Sequence, residues 1–392
     1  MRSLTAATRG IRPFATRIAA IGLFAAGLAH CSATANRGEP NASVSTPAVV
    51  GQPTASAATI DTTSVAAAPP AQATAEREHT IVLSTIADNP QEEEDKDNEA
   101  KDFIPFMLDH LRSFGITNVK IVYARNPGVL AQYMRQGKID MYDESPFSSY
   151  VEHRLSGADE VILNRWKNGN EKFGGVIYSN RSGSVRSLDD LKGKLMVFRG
   201  DTSTTQYFLE KAFLANKGYK LTEKASLTEP IAPNEIGYYF AWFSRDKEVE
   251  DLMDGVAGAS GNSDEFIDQL LGHDGVAGGK ARHPRAGKPQ TNKDDLRIIA
   301  RTPQVLRRIV TIRSSMAPAL KQAIKDLLLS MDKTPEGQAV LRTYGPSARF
   351  AAVDDHDAYA GIADQGNVVE EEVRKFATLK GGYPSPVKRP VD

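Results

Sequence analysis

Val119-Lys120-Ile121-Val122-Tyr123-Ala124-Arg125-Asn126-Pro127 opens a stretch that closes with Gly137-Lys138-Ile139-Asp140-Met141, and its reading decides the fold. Val119 to Val122 has the apolar, β-branched character of a strand. Asn126 followed by Pro127 is an N-cap with proline at the first helical position, and the helix it starts runs to Gly137. Ile139 to Met141 is the next strand. Strand, helix and strand in this order demand a crossover, so the two strands are parallel and a helix covers their sheet.

Working outward, Thr80 to Leu83 is an earlier strand, and Phe103, Met107, Leu111 and Phe114 recur at helical spacing until Gly115 stops them. A second series follows. Gly175 to Tyr178 and Leu195 to Phe198 read as strands, Ser187 to Leu191 as a short capped helix closed by Gly193, and Gln206 to Asn216 as a helix ended near Gly218. Tyr238 to Trp242, Val249 to Met253 and Leu296 to Ala300 continue the alternation. Arg308 to Ile312 and the helices Pro318 to Met331 and Pro335 to Thr343 read as a return to the first unit. The expected fold class is α/β, with two lobes, each a mostly parallel sheet flanked by helices.

The first residues carry Arg2, Arg9, Arg12 and Arg17 without an acid, then an apolar run from Ile18 to Ala29. That run is shorter than the ~20 residues of a membrane-spanning helix, so it reads as the core of a signal peptide. Cys31, the only cysteine, follows directly and has no partner for an internal disulfide. Leu28-Ala29-His30-Cys31 is similar to a bacterial lipobox, departing from it at His30, and implies a lipid on the Cys31 thiol. Ala33-Thr34-Ala35 offers an alternative cleavage site of the soluble secretory type. The expected division is a signal peptide over 1–31, an Ala/Thr/Ser/Pro tether over 32–78, a first lobe over 79–180 and 306–352, a second over 181–305, and a C-terminal helix and tail over 353–392. The Gly- and Lys/Arg-rich stretch from Leu271 to Asn292 reads as a mobile surface loop, and its His273 and His283 as solvated residues rather than a metal pair.

Composition excludes some partners. The 48 basic and 49 acidic residues leave a formal charge of -1, without the broad basic surface that nucleic acid requires. No Gly-x-Ser-x-Gly elbow, His-Glu-x-x-His or Walker loop occurs, and the seven histidines are dispersed. The chain therefore reads as no enzyme, with no cofactor and no metal. The acidic run Gln91 to Asp97 reads as a solvated cluster, and Tyr123, Trp166, Tyr178, Tyr238 and Trp242 as core aromatics.

What remains is a site for an anion. The strand Leu195 to Phe198 turns through Arg199-Gly200-Asp201-Thr202-Ser203-Thr204-Thr205 into a helix. A helix start has backbone N–H groups without intrahelical partners and a partial positive charge, and hydroxyls there converge with the amides on an anion. A single N-cap would need only one of the four hydroxyls. In the first lobe Ser145 and Pro146 form a second such start, beside Glu144, which is read either as an acceptor for a ligand amino or hydroxyl group or as an exposed capping acid. Arg245, after the strand Tyr238 to Trp242, offers a guanidinium fork for two oxyanion oxygens, or else a surface charge.

Gly137-Lys138-Ile139-Asp140 with Ser145-Pro146, Ser187 to Lys194, Ser203-Thr204-Thr205, and Ser244-Arg245-Asp246 with Leu252 to Ala259 together resemble the phosphate/phosphite/phosphonate substrate-binding family of ABC transporters. The likeness runs from about His79 to Phe350, with departures at Gln206, Arg245 and Ala257. It implies the periplasmic-binding type II fold, with two hinge strands joining the lobes. The family's hydroxyl loop, which grips the phosphonate oxygens, is matched by Ser203, Thr204 and Thr205. With the residues read above, the expected ligand site is Thr202, Ser203, Thr204, Thr205, Ser244, Arg245, Glu144 and Ser145. The expected partners are a small phosphonate- or phosphate-like oxyanion, an ABC permease with its ATPase, and the membrane through the lipid on Cys31. A monomer is expected, exported to the periplasm or the outer face of the cell membrane. The alternatives are an extracytoplasmic sensor and an enzyme acting on a phosphorylated substrate.

Overall fold

Strand and helix alternate from Thr80 onward as the caps and apolar periods require. The computed structural model describes residues 79–87, 89–242, 247–266 and 295–378. The first series is β1 (Thr80–Ile86), α1 (Pro90–Ala100), α2 (Phe103–Leu111), β2 (Asn118–Ala124), α3 (Pro127–Arg135), β3 (Met141–Glu144), α4 (Pro146–Ser156) and β4 (Asp159–Lys167). The second is β5 (Lys172–Phe173), β6 (Gly175–Asn180), β7 (Leu195–Phe198), a π-helical turn (Thr204–Phe208) running into α5 (Leu209–Asn216), β8 (Lys220–Glu223), β9 (Glu235–Phe240), α6 (Lys247–Met253), β10 (Ala259–Ser263) and β11 (Leu296–Arg301). The chain then continues through β12 (Val305–Leu306), β13 (Arg308–Arg313), α7 (Pro318–Ser330), α8 (Pro335–Thr343), β14 (Ser347–Ala352), α9 (Asp355–Ala363) and α10 (Asn367–Thr378).

Two six-stranded sheets result, ordered β14-β4-β13-β3-β1-β2 and β11-β6-β10-β7-β9-β8. In the first, β1 lies parallel to β2 and β3, while β13 runs antiparallel to β3 and β4. In the second, β7 lies parallel to β9 and β10, and β6 antiparallel to β10 and β11. The chain passes between the sheets twice, through β5 and β12, which pair antiparallel with Val305 opposite Phe173. This is the two-lobed α/β fold expected, with its two crossing strands as the hinge. The first sheet, however, is mixed and not mostly parallel, because β13 and β14 run antiparallel to their neighbours. The second lobe starts with β6 and not after residue 180. Among the described residues no helix is long and apolar enough to cross a membrane.

Capping decides where the helices begin. Asn126 accepts the Val129 N–H at 3.0 Å, and Asn89 accepts that of Glu92 at 3.0 Å, each with proline next. The acidic run Gln91 to Asp97 lies within α1, which has no strong apolar face and is held by its cap and by acids at its positive end. Its expected solvated character holds only in part, because Glu92 and Glu93 pair with Arg199 and Arg125.

Each sheet is packed on both faces. In the first lobe, Ile81, Leu83 and Val310 meet Phe103 and Met107 of α2 and Leu328 of α7, and the opposite face carries Val82 and Tyr142 against Leu130 and Met134 of α3. The second lobe's core of Met196, Phe198, Ile236 and Phe240 does not stop at the lobe boundary. It takes in Phe147 of α4 and Phe376 of α10, and Phe147 stacks on Phe208 with ring centres 4.2 Å apart.

Candidate ligand site

Four hydroxyls cannot all serve a single helix start, and the structure divides them. Ser203 is the cap: its side chain accepts the Gln206 N–H at 3.1 Å. The Phe208 N–H reaches back to Ser203 O at 3.1 Å, a wider loop than an α-helix makes, and such π turns are frequent at functional sites. Thr204 and Thr205 are buried, and Thr202 and Ser203 half-buried. Thr204 Oγ1 accepts the N–H of Phe147 at 3.1 Å, and Thr202 O accepts the hydroxyl of Ser148 at 2.8 Å. Phe147 and Ser148 lie in the first turn of α4, so the helix starts of the two lobes face each other directly.

Ser145 stands at the cap position of α4 with extended backbone, but its hydroxyl makes no capping bond. Glu144 is 5 % exposed, not an exposed capping acid. Its carboxylate accepts from Thr85 Oγ1 at 2.5 Å, Ile86 N at 2.7 Å and its neighbour Ser145 N at 3.1 Å, with Arg308 Nη1 at 3.7 Å. It thus draws the ends of β1 and β3 together beside the start of α4. Ser244 and Arg245 lie outside the described residues, as do Cys31, the export segment and the 271–292 stretch.

Arg199, at the carboxyl end of β7, went unread in the sequence. Its guanidinium reaches Glu92 of the first lobe at 3.2 Å and Gln206 Oε1 at 3.3 Å. Gln206 Nε2 donates in turn to Asn262 Oδ1 at 3.0 Å. The signal was the glutamine following the hydroxyls, one of the departures from the family pattern. Asp201, just before the hydroxyls, is 2 % exposed; burial lifts its carboxyl to about 6, and Lys375 of α10, 3.0 Å away, opposes the rise. The same helix holds Glu372 against Tyr207 and Lys211 at 2.5 Å each, and Glu370 against Arg154 of α4 at 2.5 Å. The C-terminal helix is therefore fastened to both lobes.

Two α/β lobes on a crossing pair of strands, with helix starts in direct contact across the lobe boundary, define a solute-binding protein of the periplasmic type II class. Residues 90–358 match the family of periplasmic substrate-binding proteins of phosphonate ABC transporters, and the chain belongs to that family. As a member it is the substrate-binding component of an importer and an exported protein. Similar solved structures agree on the fold. A Xanthomonas citri protein bound to ATP is 20% identical with a TM-score of 0.64, the match covering 76% of this chain and 99% of that one. A binding-protein component of a Pseudomonas aeruginosa phosphonate transporter is 15% identical at 0.53, covering 77% and 91%. PhnD1 of Prochlorococcus marinus in complex with methylphosphonate is 15% identical at 0.55, covering 75% and 99%.

Proposed function

We propose that the chain captures a phosphonate-type oxyanion in the gap where α4 meets the hydroxyl turn, and delivers it to its permease and ATPase. The observation that carries this is the hydrogen bond from the Phe147 amide to Thr204 Oγ1. A helix-start donor of one lobe and a hydroxyl of the other are thereby in direct contact. An oxyanion seated there takes over the acceptor role of Thr204 Oγ1 toward that amide. The hydroxyls of Ser145, Thr202, Ser203, Thr204 and Thr205 are then donors to its remaining oxygens, with Ser244 and Arg245 as further candidates. Glu144 holds the loop of β1 against α4 and suits a donor group on the ligand if one is present. Such charge-assisted bonds strengthen as water leaves a closing gap.

Binding and closure suffice for this role, and no catalytic step is assigned. A family member stationed outside the cytoplasm needs export, for which residues 1–31 supply the signal and Cys31 the point of lipid attachment; the reading is of a tethered monomer. Titration calorimetry of the mature protein with methylphosphonate, phosphite and phosphate tests the site. Binding of at least one, weakened more than about tenfold in Thr204→Ala, is expected, since a hydrogen bond to a charged group contributes about 1.5–3 kcal/mol. If none of the three binds the wild type, or if one is turned over, the proposal is wrong.

A further inference from the structure

A pocket in the first lobe lies between α1 and α2 on one side and the carboxyl ends of β1 and β3 on the other. Three cations line it, Lys96, Arg165 and Arg308. Lys167 stands behind, its Nζ 3.8 Å from Glu99 Oε1. Asp143 is already saturated: Arg165 Nε lies at 2.5 Å, Arg308 Nε at 2.9 Å and the Tyr344 hydroxyl at 3.1 Å. Asp143, Glu99 and the more distant Glu144 offset the three lining cations, and Lys167, inclined to its neutral form by burial, adds less than a full charge.

The arginines have a structural role on Asp143, but that role leaves donors over. Arg165 is 2 % exposed; its Nε lies 2.5 Å from Asp143 Oδ2 as an ion pair without a hydrogen bond, and its Nη1 donates to Tyr344 O and Ser347 Oγ. Its Nη2 has no hydrogen-bond partner among the described residues. Lys96 likewise has no ion pair or hydrogen bond there, although it sits on a helix crowded with acids. Donors left over in a partly enclosed, cation-rich pocket are what an anionic group would complete.

We infer that this pocket is a second anion subsite, shaped for the carboxylate of a substrate that carries a phosphonate at its other end. The inference rests on the phosphonate site proposed above, to which the pocket is joined through Thr85. That residue lines the pocket, and its hydroxyl is bonded to Glu144, the residue before Ser145. A carboxylate suits the space better than a second phosphonate, being planar, small and matched to the Arg165 fork with Lys96 at its side. Lys167 adds a proton-linked component. Burial and the like charges of Lys96, Arg165 and Arg308 bring its amine down to about 7 although Glu99 opposes them, and a bound carboxylate restores the charged form.

Phosphonoacetate and 3-phosphonopropionate, compared with methylphosphonate by calorimetry on the mature protein, test the assignment. At least one carboxylated probe is expected to bind about tenfold or more tightly than methylphosphonate. Lys96→Gln is expected to abolish that advantage while leaving methylphosphonate affinity unchanged. At pH 8 the better carboxylated probe should also draw in more protons than methylphosphonate, an excess lost in Lys167→Met. Equal affinities for all three probes, or a Lys96→Gln loss common to all, overturn the subsite and leave the phosphonate site standing. If no phosphonate binds at all, both readings fall together.

Discussion

At Lys167 the ammonium is held in a place that favours its neutral form, through burial first and then through the neighbouring cations. Its folded value of about 7 lies below the ordinary 10.5, so the unfolded chain binds more protons between these values. Stability from this group is therefore complete above 10.5 and lost as pH falls toward 7. Replacing Lys167 by methionine should raise unfolding free energy at pH 7 by about 2 kcal/mol once solvent screening is allowed for, since the side chain is 25 % exposed. Urea titrations at pH 7 and pH 10.5 check this, because the gain must vanish at the higher pH; an equal gain at both would mean that packing, not charge, is responsible. Residues of this kind are illegible in a sequence. Arg199 meets Glu92 across 107 positions and Glu144 meets Thr85 across 59, so no local pattern announces either pair. The hydroxyl run Thr202 to Thr205 was legible because cap chemistry is local.

At the scale of elements, what local chemistry controls was readable and what tertiary pairing controls was not. Asn126-Pro127 and Asn89-Pro90 use one capping device, yet α1 escaped notice because its acidic residues show no apolar period. Asn89→Ala should cost about 1 kcal/mol and loosen α1, seen as faster amide exchange over residues 92–95; unchanged protection there would mean that packing alone holds the helix. β4 was marked only at Trp166, because it carries Asn164 and Arg165 in buried positions that only distant groups engage, Arg308 O for the one and Asp143 for the other. Gly128 in α3 shows a third control. A Cβ there would lie 2.4 Å from Phe376 O of α10, a backbone atom unable to yield cheaply. Gly128→Ala is expected to cost about 1–3 kcal/mol and to release the C-terminal helix, read as new protease cleavage within residues 367–378. A variant as stable and as resistant as wild type would show that α3 and α10 are not in contact in solution.

For the whole molecule the question is which contacts set the balance between joined and separated lobes. The Arg199 and Glu92 side chains are 28 % and 25 % exposed, and an ion pair of that exposure contributes about 0.2–1 kcal/mol. Phe147 is fully buried against Phe208, and a buried phenylalanine contributes about 1.5–3 kcal/mol. The apolar contact must therefore dominate, with the ion pair a trim upon it. A ligand needing both lobes binds in proportion to the population in which they meet. Arg199→Ala is accordingly expected to weaken methylphosphonate binding no more than about fivefold, an effect that added salt reproduces in the wild type. Phe208→Ala should weaken it by more than about tenfold and enlarge the radius of gyration in solution scattering, since the two lobes then separate about the paired hinge strands β5 and β12. If Arg199→Ala has the larger effect, the arginine touches the ligand itself, and the balance between the lobes is not what it controls.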